Sequence, residues 1–535
     1  MCRNRYVNTI YVNAHSRSAA NNGRSWRTPY LTLQAALVDA AAIPGSRIWI
    51  AAGVYTPSEI YTPDGVVGGV SGLDTSALRA FNIPDNTSLF GGFRGQERKL
   101  NQRCIEQYET VLSGASRYWH TVIVGNDLPN SVGVIASLDG LTLIEGNASG
   151  PANDPSGTLF EPLGYAHNNG GAMYIVNDSS VTVRNCLIRN NRANNIGGAV
   201  YTNNSNVSYY QCIFRGNHSD GQAGAAAFYN TYEDAAVPHS AYIYECIFEE
   251  NSTLLFGGAI VKEGTQPNPA SKAVVKGCTF SKNSAHEGGA IVVDSLMSEI
   301  NDCRFLGNIA YVSGGAVAST NVVRALNAAA TSPSAPAVLY PTMINDCLFA
   351  GNVCEANQQM RAVMFGGPRL GISFPIGGGA VTSYLDGVLV INNSKFHSNV
   401  SYGDGGAILN GKSSVSNPFI AFPGSLQVYA AQTMVNKCEF HCNIAHGNGG
   451  AIASERDNIF LRPPIVVNPS RIRLDVFDSV FKGNVAHLSG GAIYVEGSTA
   501  LLVDNTFRCN KALVGGNDVS DLDAVVIFDQ QQLVA

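Results

Sequence analysis

The chain has 535 residues, of which 56 are Gly and only 14% are charged, with 34 Lys plus Arg and a formal net charge of −6. That composition excludes a helical protein, which needs Ala, Leu, Glu and Lys in bulk, and without a basic stripe nucleic acid is not expected as a partner. No apolar run reaches the roughly 18 residues of a membrane span, and MCRNRYVNTIYVN at the start lacks the roughly 7–15-residue apolar stretch of a secretory leader.

In chain order, IYVN (10–13) and RIWIAAGVY (47–55) read as strands. Between them, residues 30–42 place Leu33, Ala36, Leu37 and Ala40 at helical spacing. Such a helix would cover an open end of a solenoid core, as solenoids require. Residues 1–56 are therefore expected to be an N-terminal cap continuous with the solenoid, and 57–168 further coils with insertions.

From Cys186 the chain repeats itself. A unit of Cys, Ser or Asn, then any residue, then Phe, with Asn three residues after the Phe, occurs in ten copies. The first position is held by Cys186, Cys212, Cys246, Cys278, Cys303, Cys347, Ser394, Cys438, Ser479 and Asn505. The aromatic position is Ile188 in the first copy, then Phe214, Phe248, Phe280, Phe305, Phe349, Phe396, Phe440, Phe481 and Phe507. The last is Asn191, Asn217, Asn251, Asn283, Asn308, Asn352, Asn399, Asn443, Asn484 and Asn510. Each copy is followed by a Gly-rich unit, typically Gly-Gly-Ala as in Gly449-Gly450-Ala451 and then usually Ile, Val or Met; Ala223-Gly224-Ala225 is a degenerate copy and Gly515-Gly516-Asn517 closes the series. Spacing between copies ranges from 25 residues (Cys278 to Cys303) to 47 (Cys347 to Ser394). A fixed short core with variable insertions marks a solenoid.

Cys and Phe, two apart in a strand, face one side together. The two Gly permit positive φ and close backbone approach at a corner, and the Asn suits a left-handed turn residue. Stacking such coils puts Cys on Cys, Phe on Phe and Asn on Asn. The expected fold is all-β, a right-handed parallel β-helix solenoid with an N-terminal amphipathic capping helix and long loop insertions. Residues 169–516 form the repeat region, 517–535 an acidic C-terminal cap or tail, and insertions fall at about 57–80, 148–168, 320–342, 353–376, 411–432 and 455–471.

The pairing of GGA(I/V) with FxxN resembles the repeats of chlamydial polymorphic outer membrane proteins. IYVNAHSRSAANNGRSWRTPYLTLQAAL, GSRIWIAAGVYTP, SLFGGFRGQERKLNQR and LDGLTLIEGNASG are similar to the opening of secreted bacterial right-handed parallel β-helix proteins. The resemblance implies a surface or secreted protein, often an adhesin. The chlamydial C-terminal membrane barrel has no counterpart here, which removes self-transport through an outer membrane from the expectation. The same fold occurs in polysaccharide lyases and hydrolases and in viral fibres, so function rests on a site rather than on the fold.

Candidate chemistry is sparse. Ser and Asn replace Cys in the repeat slot, which reads as a small inward residue and a buried free thiol. Cys442 and Cys509 share another slot but are two coils apart, too far for a disulfide. His286, His446 and His487 recur in N-x-A-H, with Tyr311 and Tyr402 in the same slot of other coils; a shared metal and a stacked corner are the two readings. Glycoside hydrolysis needs two carboxylates across the bond, and the Asn-Thr-Asp, Asp-Asp and Gly-His-Gly signatures of hydrolases with this fold do not occur. Arg471 and Arg473 beside Asp475 are nearest to a lyase base, and strand alternation explains them as an exposed face at least as well. Asp234, Asp302, Asp346, Asp404 and Asp478 fall in different slots. Trp26, Trp49 and Trp119 lie in the N-terminal region, and Tyr209-Tyr210 must turn one ring outward. No catalytic, cofactor or metal residue is named. The expected role is adhesion or structural display at the cell envelope or outside the cell, bound to a cell-surface glycan or protein or self-associated. The alternatives are a polysaccharide lyase or glycoside hydrolase, and a subunit of a fibre or appendage.

Overall fold

The structure is a computed structural model describing residues 8–61, 75–126, 132–150, 167–230, 237–264, 270–320, 340–355, 372–373, 376–384, 387–411, 414–416, 431–456, 458–460, 472–529 and 532–533. The insertions expected from sequence lie largely outside these residues. Two compact units are present: one takes the described residues up to 230 with His239–Ile247, the other 237–238 with those from Phe248 onward.

Both units are built from one parallel β-helix coil of four strands. In the first unit, Ser180–Arg184 is followed by Leu187–Arg189, Arg192–Ala193 and, past Gly197-Gly198, Val200–Asn203. The equivalent strands of successive coils pair in parallel and form four sheets, called here the first to the fourth in that order. First-sheet strands alternate half-buried and buried residues, as in Asn206–Tyr210 and Val388–Asn392. That is the period-two signature of a strand with one face on a core. The four inner faces close on each other, so the core is continuous along the stack within each unit.

At the start of the first unit, helix α1 (Leu33–Ala41) buries Leu33, Ala36, Leu37 and Ala40 and rests on the strands Thr9–Val12 and Arg47–Ala51. Thr32 caps it, its hydroxyl accepting from the Ala35 N–H at 3.3 Å. Such a cap satisfies a donor the helix itself cannot.

The two glycines of each GGA unit have different tasks. Gly449 takes φ 66°, the left-handed region that a side chain disfavours. Gly450 is needed for room: a Cβ there would collide with the backbone oxygen of Gly491, one coil on. The final copy is displaced by one residue from the sequence alignment. Gly516, at φ 55°, follows Gly490; Asn517 takes the second-glycine place and Asp518 the alanine place. Asn517 is tolerated because, among the described residues, no strand stacks beyond Val519–Leu522 in the fourth sheet. Residues Val519–Leu522, Val525–Asp529 and Gln532–Leu533 pair as one more set of strands.

Candidate functional site

The repeat positions form three inward columns. Cys186, Cys212 and Cys246 in the first unit, and Cys278, Cys303, Cys347 and Cys438 in the second, are each at most 2% exposed. Each thiol donates to the carbonyl two residues earlier, as Cys303 Sγ does to Asn301 at 3.1 Å. Ser394 and Ser479 hydroxyls make the same bond to Asn392 (2.9 Å) and Phe477 (2.8 Å). The slot atom also accepts from the N–H of the slot one coil earlier: Ser394 Oγ from Cys347 at 3.1 Å, Ser479 Oγ from Cys438 at 3.1 Å, Asn505 Oδ1 from Ser479 at 3.0 Å. The interchange of Cys, Ser and Asn therefore follows from a hydrogen-bonding duty as well as from size. Burial pushes the Cys438 thiol up to about 12, which leaves little thiolate for chemistry.

Phe248, Phe280, Phe305, Phe349, Phe396, Phe440, Phe481 and Phe507 stack in the second unit with centroids 4.6–5.1 Å apart and planes within 12°. In the first unit Phe214 meets Tyr209 edge-on at 5.4 Å. The asparagines are buried as well. Past the first Asn of the column in each unit, each Asn side-chain oxygen accepts from both the backbone and the amide N–H of the Asn one coil earlier, and Asn191 Oδ1 accepts from the Gly146 N–H at 2.9 Å. Asn191 bonds Asn217 in this way at 3.1 and 3.0 Å in the first unit. In the second, the amide row runs Asn251, Asn283, Asn308, Asn352, Asn399, Asn443, Asn484, Asn510 at 2.9–3.0 Å, and Asn510 ends it on the Asp518 carboxylate at 3.0 Å.

The left-handed turn expected at these asparagines lies one residue earlier. Asn190, Gly216, Glu250, Lys282, Gly307, Gly351, Ser398, Cys442, Gly483 and Cys509 carry the positive φ. The buried Asn keeps an ordinary backbone so that its N–H and amide both aim along the stack. Asp302 and Asp346, which by sequence read as polar strand-edge residues before the slot Cys, have positive φ and turn the corner there, and Asp478 does the same before Ser479.

Among the titratable candidates, His286 is fully buried while His446 is exposed, 4.4 Å from His487 and 4.5 Å from Tyr402 between ring centroids. Burial and then the His487 charge lower the His446 pKa. Among the described residues no group of three or more metal-ligating side chains forms. Arg473 closes on Asp475 in its own strand, Nε to both oxygens at 2.8 and 2.7 Å, and Asp404 accepts from the Asn448 N–H at 2.7 Å. Arg471 and Asp234 lie outside the described residues. Cys442 and Cys509 are free and exposed.

One buried acid escaped the sequence reading. Glu287, fully buried before Gly288, accepts a 2.6 Å hydrogen bond from the Tyr384 hydroxyl. Burial pushes it up to about 8; the Tyr384 hydrogen bond opposes the rise and the Asp294 charge adds to it. Its slot neighbours Ser313 and Gly377 are chemically unlike it, and an acid returns only at Asp404, three coils on, so no coil-to-coil repeat marks the position. From the ordinary 4.5 up to about 8 only the folded chain keeps this proton, so stability should fall as pH rises through that window and level off above it. Melting temperatures from pH 5 to 9 should show this slope for the native chain and a shallower one for Glu287→Gln. An equal slope in both would contradict the assignment.

A row of aromatic and charged side chains lies on the outer face of the first sheet in the first unit. Tyr209 is fully buried, and Tyr210 turns outward. Parallel register sets Arg184 beside Tyr210 and Tyr210 beside Tyr244, with Ser208 beside Tyr242. The Tyr210 and Tyr244 rings stack at 5.4 Å and 15°, Tyr242 lies 6.3 Å from Tyr244 and nearly parallel, and the Arg184 guanidinium sits 4.3 Å over the Tyr210 ring. Earlier in the same column Asp139 takes Arg103 at 2.8 Å and the Asn185 amide at 2.8 Å, and Arg103 reaches over Phe90 at 5.6 Å. Flat rings with a polar tip beside a guanidinium offer stacking and hydrogen bonding together.

By fold, then, the chain is a parallel β-helix protein. The family model of the right handed beta helix region matches residues 130–305, and that of the Chlamydia polymorphic membrane protein repeat matches 478–496, the stretch from Asp478 through Gly490-Gly491-Ala492 to Glu496. No curated protein sequence matches the chain. Similar solved structures include the mannuronan C-5 epimerase AlgE6 A-module of Azotobacter vinelandii (12% identity, 92% of this chain and 93% of that one, TM-score 0.28). The tailspike protein of E. coli bacteriophage HK620, in complex with pentasaccharide, is 12% identical over 90% and 76% at TM-score 0.36. PfbA, a surface adhesin of Streptococcus pneumoniae, is 10% identical over 91% and 87% at TM-score 0.26.

Proposed function

We propose that the chain is a non-catalytic surface or secreted protein of adhesion or structural display, holding a cell-surface glycan or protein on the outer face of its first sheet. The observation that carries this reading is the ordered outward row of Arg184, Tyr210, Tyr242 and Tyr244. The repeat match at 478–496 supports the location, and among the described residues no helix is long and apolar enough to cross a membrane. Rings fixed by neighbouring coils lose little entropy when a ligand stacks on them. Tyr210→Ala combined with Tyr244→Ala should lower retention on host-cell or glycan surfaces at least about tenfold. The melting temperature should barely move, because both rings are partly exposed. Undiminished retention would overturn the reading.

A further inference from the structure

The second unit carries another row of asparagines, on the outside. Asn301, Asn345, Asn392 and Asn436 end successive first-sheet strands, in register and half-buried. Their amides are chained: Asn345 Nδ2 donates to Asn301 Oδ1 at 2.8 Å, Asn392 to Asn345 at 2.8 Å, and Asn436 to Asn392 at 3.4 Å. A primary amide has two N–H groups and two lone pairs on its oxygen. The chain engages one of each at Asn345 and Asn392, so a donor and an acceptor recur at every coil, about 4.8 Å apart.

Two residues back in the last three of these strands runs an apolar column of Met343, Val390 and Met434, the last 41% exposed. The three strands Pro341–Asn345, Val388–Asn392 and Gln432–Asn436 contain no charged residue. Ion pairs bound the strip on both sides: Lys272 with Glu299 at 3.5 Å, and Arg473 with Asp475. At the flanking corner Asp346 and Lys437 contribute one charge of each sign.

We propose that this strip binds a linear, uncharged polysaccharide laid along the stacking direction, one sugar to a coil. A sugar ring has an apolar C–H face and hydroxyls at its edge. The Met343–Val390–Met434 column meets the first and the asparagine amides the second, and an extended glycan advances by about one coil rise per residue. Charge complementarity favours a neutral polymer, since an anionic one would lose hydration with no cation in the three strands to pair with. A peptide strand would need open backbone groups, and this surface is the face of a sheet. The proposal rests on the reading of the chain as a binder but uses residues separate from the tyrosine row.

Calorimetric titration of the full chain with cellohexaose, chitohexaose, laminarihexaose and mannohexaose tests it. At least one hexasaccharide should bind, and Asn392→Leu and Met434→Glu should each weaken it tenfold or more with far-UV circular dichroism unchanged. Leu513→Ala, at an exposed position of the same unit away from the strip, should leave that affinity as it is. Should Met434→Glu fail to fold, Asn392→Leu, which keeps the side chain's size, carries the test. Binding by none of the four, capture of polygalacturonate or of a peptide alone, or affinity that survives the strip variants would overturn the proposal. Loss on Tyr210→Ala alone would overturn it while leaving the tyrosine row standing.

Discussion

Replacing Asn352 by alanine should destabilise the second unit by about 4 kcal/mol or more. Three buried groups lose a partner at once. The Asn308 backbone N–H and its amide N–H both donate to Asn352 Oδ1, at 3.0 Å each, and the Phe305 carbonyl accepts from Asn352 Nδ2 at 3.0 Å. A buried polar group left unsatisfied costs about 1–3 kcal/mol, and a fully buried column gives water no access to replace the amide. The outward Asn392→Ala change is the control: its half-buried amide can exchange to water, so a loss below about 1 kcal/mol is expected. Because a solenoid unfolds through nearest-neighbour terms, amide hydrogen exchange is the suitable measurement. Loss of protection should centre on the strands beside Leu348–Ala350. Equal effects of the two substitutions would sink the assignment of the inner column.

Gly450→Ala should be worse, and for a different reason. The added Cβ falls on the Gly491 carbonyl oxygen and against the Val485 backbone, neither of which is a flexible tip. The coils would have to part there, breaking the ladder bonds of Gly450 to Gly490 and Ala451 to Ala492. Overpacking into side chains typically costs about 1–3 kcal/mol; collision with backbone should exceed that and abolish soluble expression. Gly307→Ala isolates the conformational part, because φ there is 59° and nothing lies within contact of the new methyl. It should cost about 1 kcal/mol. Thermal shifts of the two variants decide the matter: a tolerated Gly450→Ala would mean the coils do not stack in this register.

The inner columns were legible because a stacked core repeats its demand at every coil, so Phe305, Phe349 and Phe396 announce one another despite insertions. The exact corner was not. Glu250 and Lys282 have no preference for positive φ, and the asparagine network imposes it on them. Gly515 and Gly516 read by letter as the glycine pair with Asn517 in the alanine place, while the ladder makes Gly516 the first of the pair, Asn517 the second and Asp518 the alanine. The outer rows do carry a signal: Tyr210, Tyr244, Asn301, Asn345, Asn392 and Asn436 all lie two residues before the repeat slot. Alternation shows that such residues face outward, but not which of them become neighbours across 34 or 47 residues of chain. Glu287 had no signal, since burial raises its pKa and its partner Tyr384 is 97 residues away.

The central claim is that the outer faces hold a ligand without changing it. Product size after incubating the purified chain with a panel of neutral and acidic polysaccharides, with and without Ca²⁺, tests it most directly. Chains of undiminished length across the panel are predicted, with any retained polymer recovered intact. Shortened chains would contradict the account and turn attention to the carboxylates of the insertions as the acid and base of a carbohydrate-cleaving site.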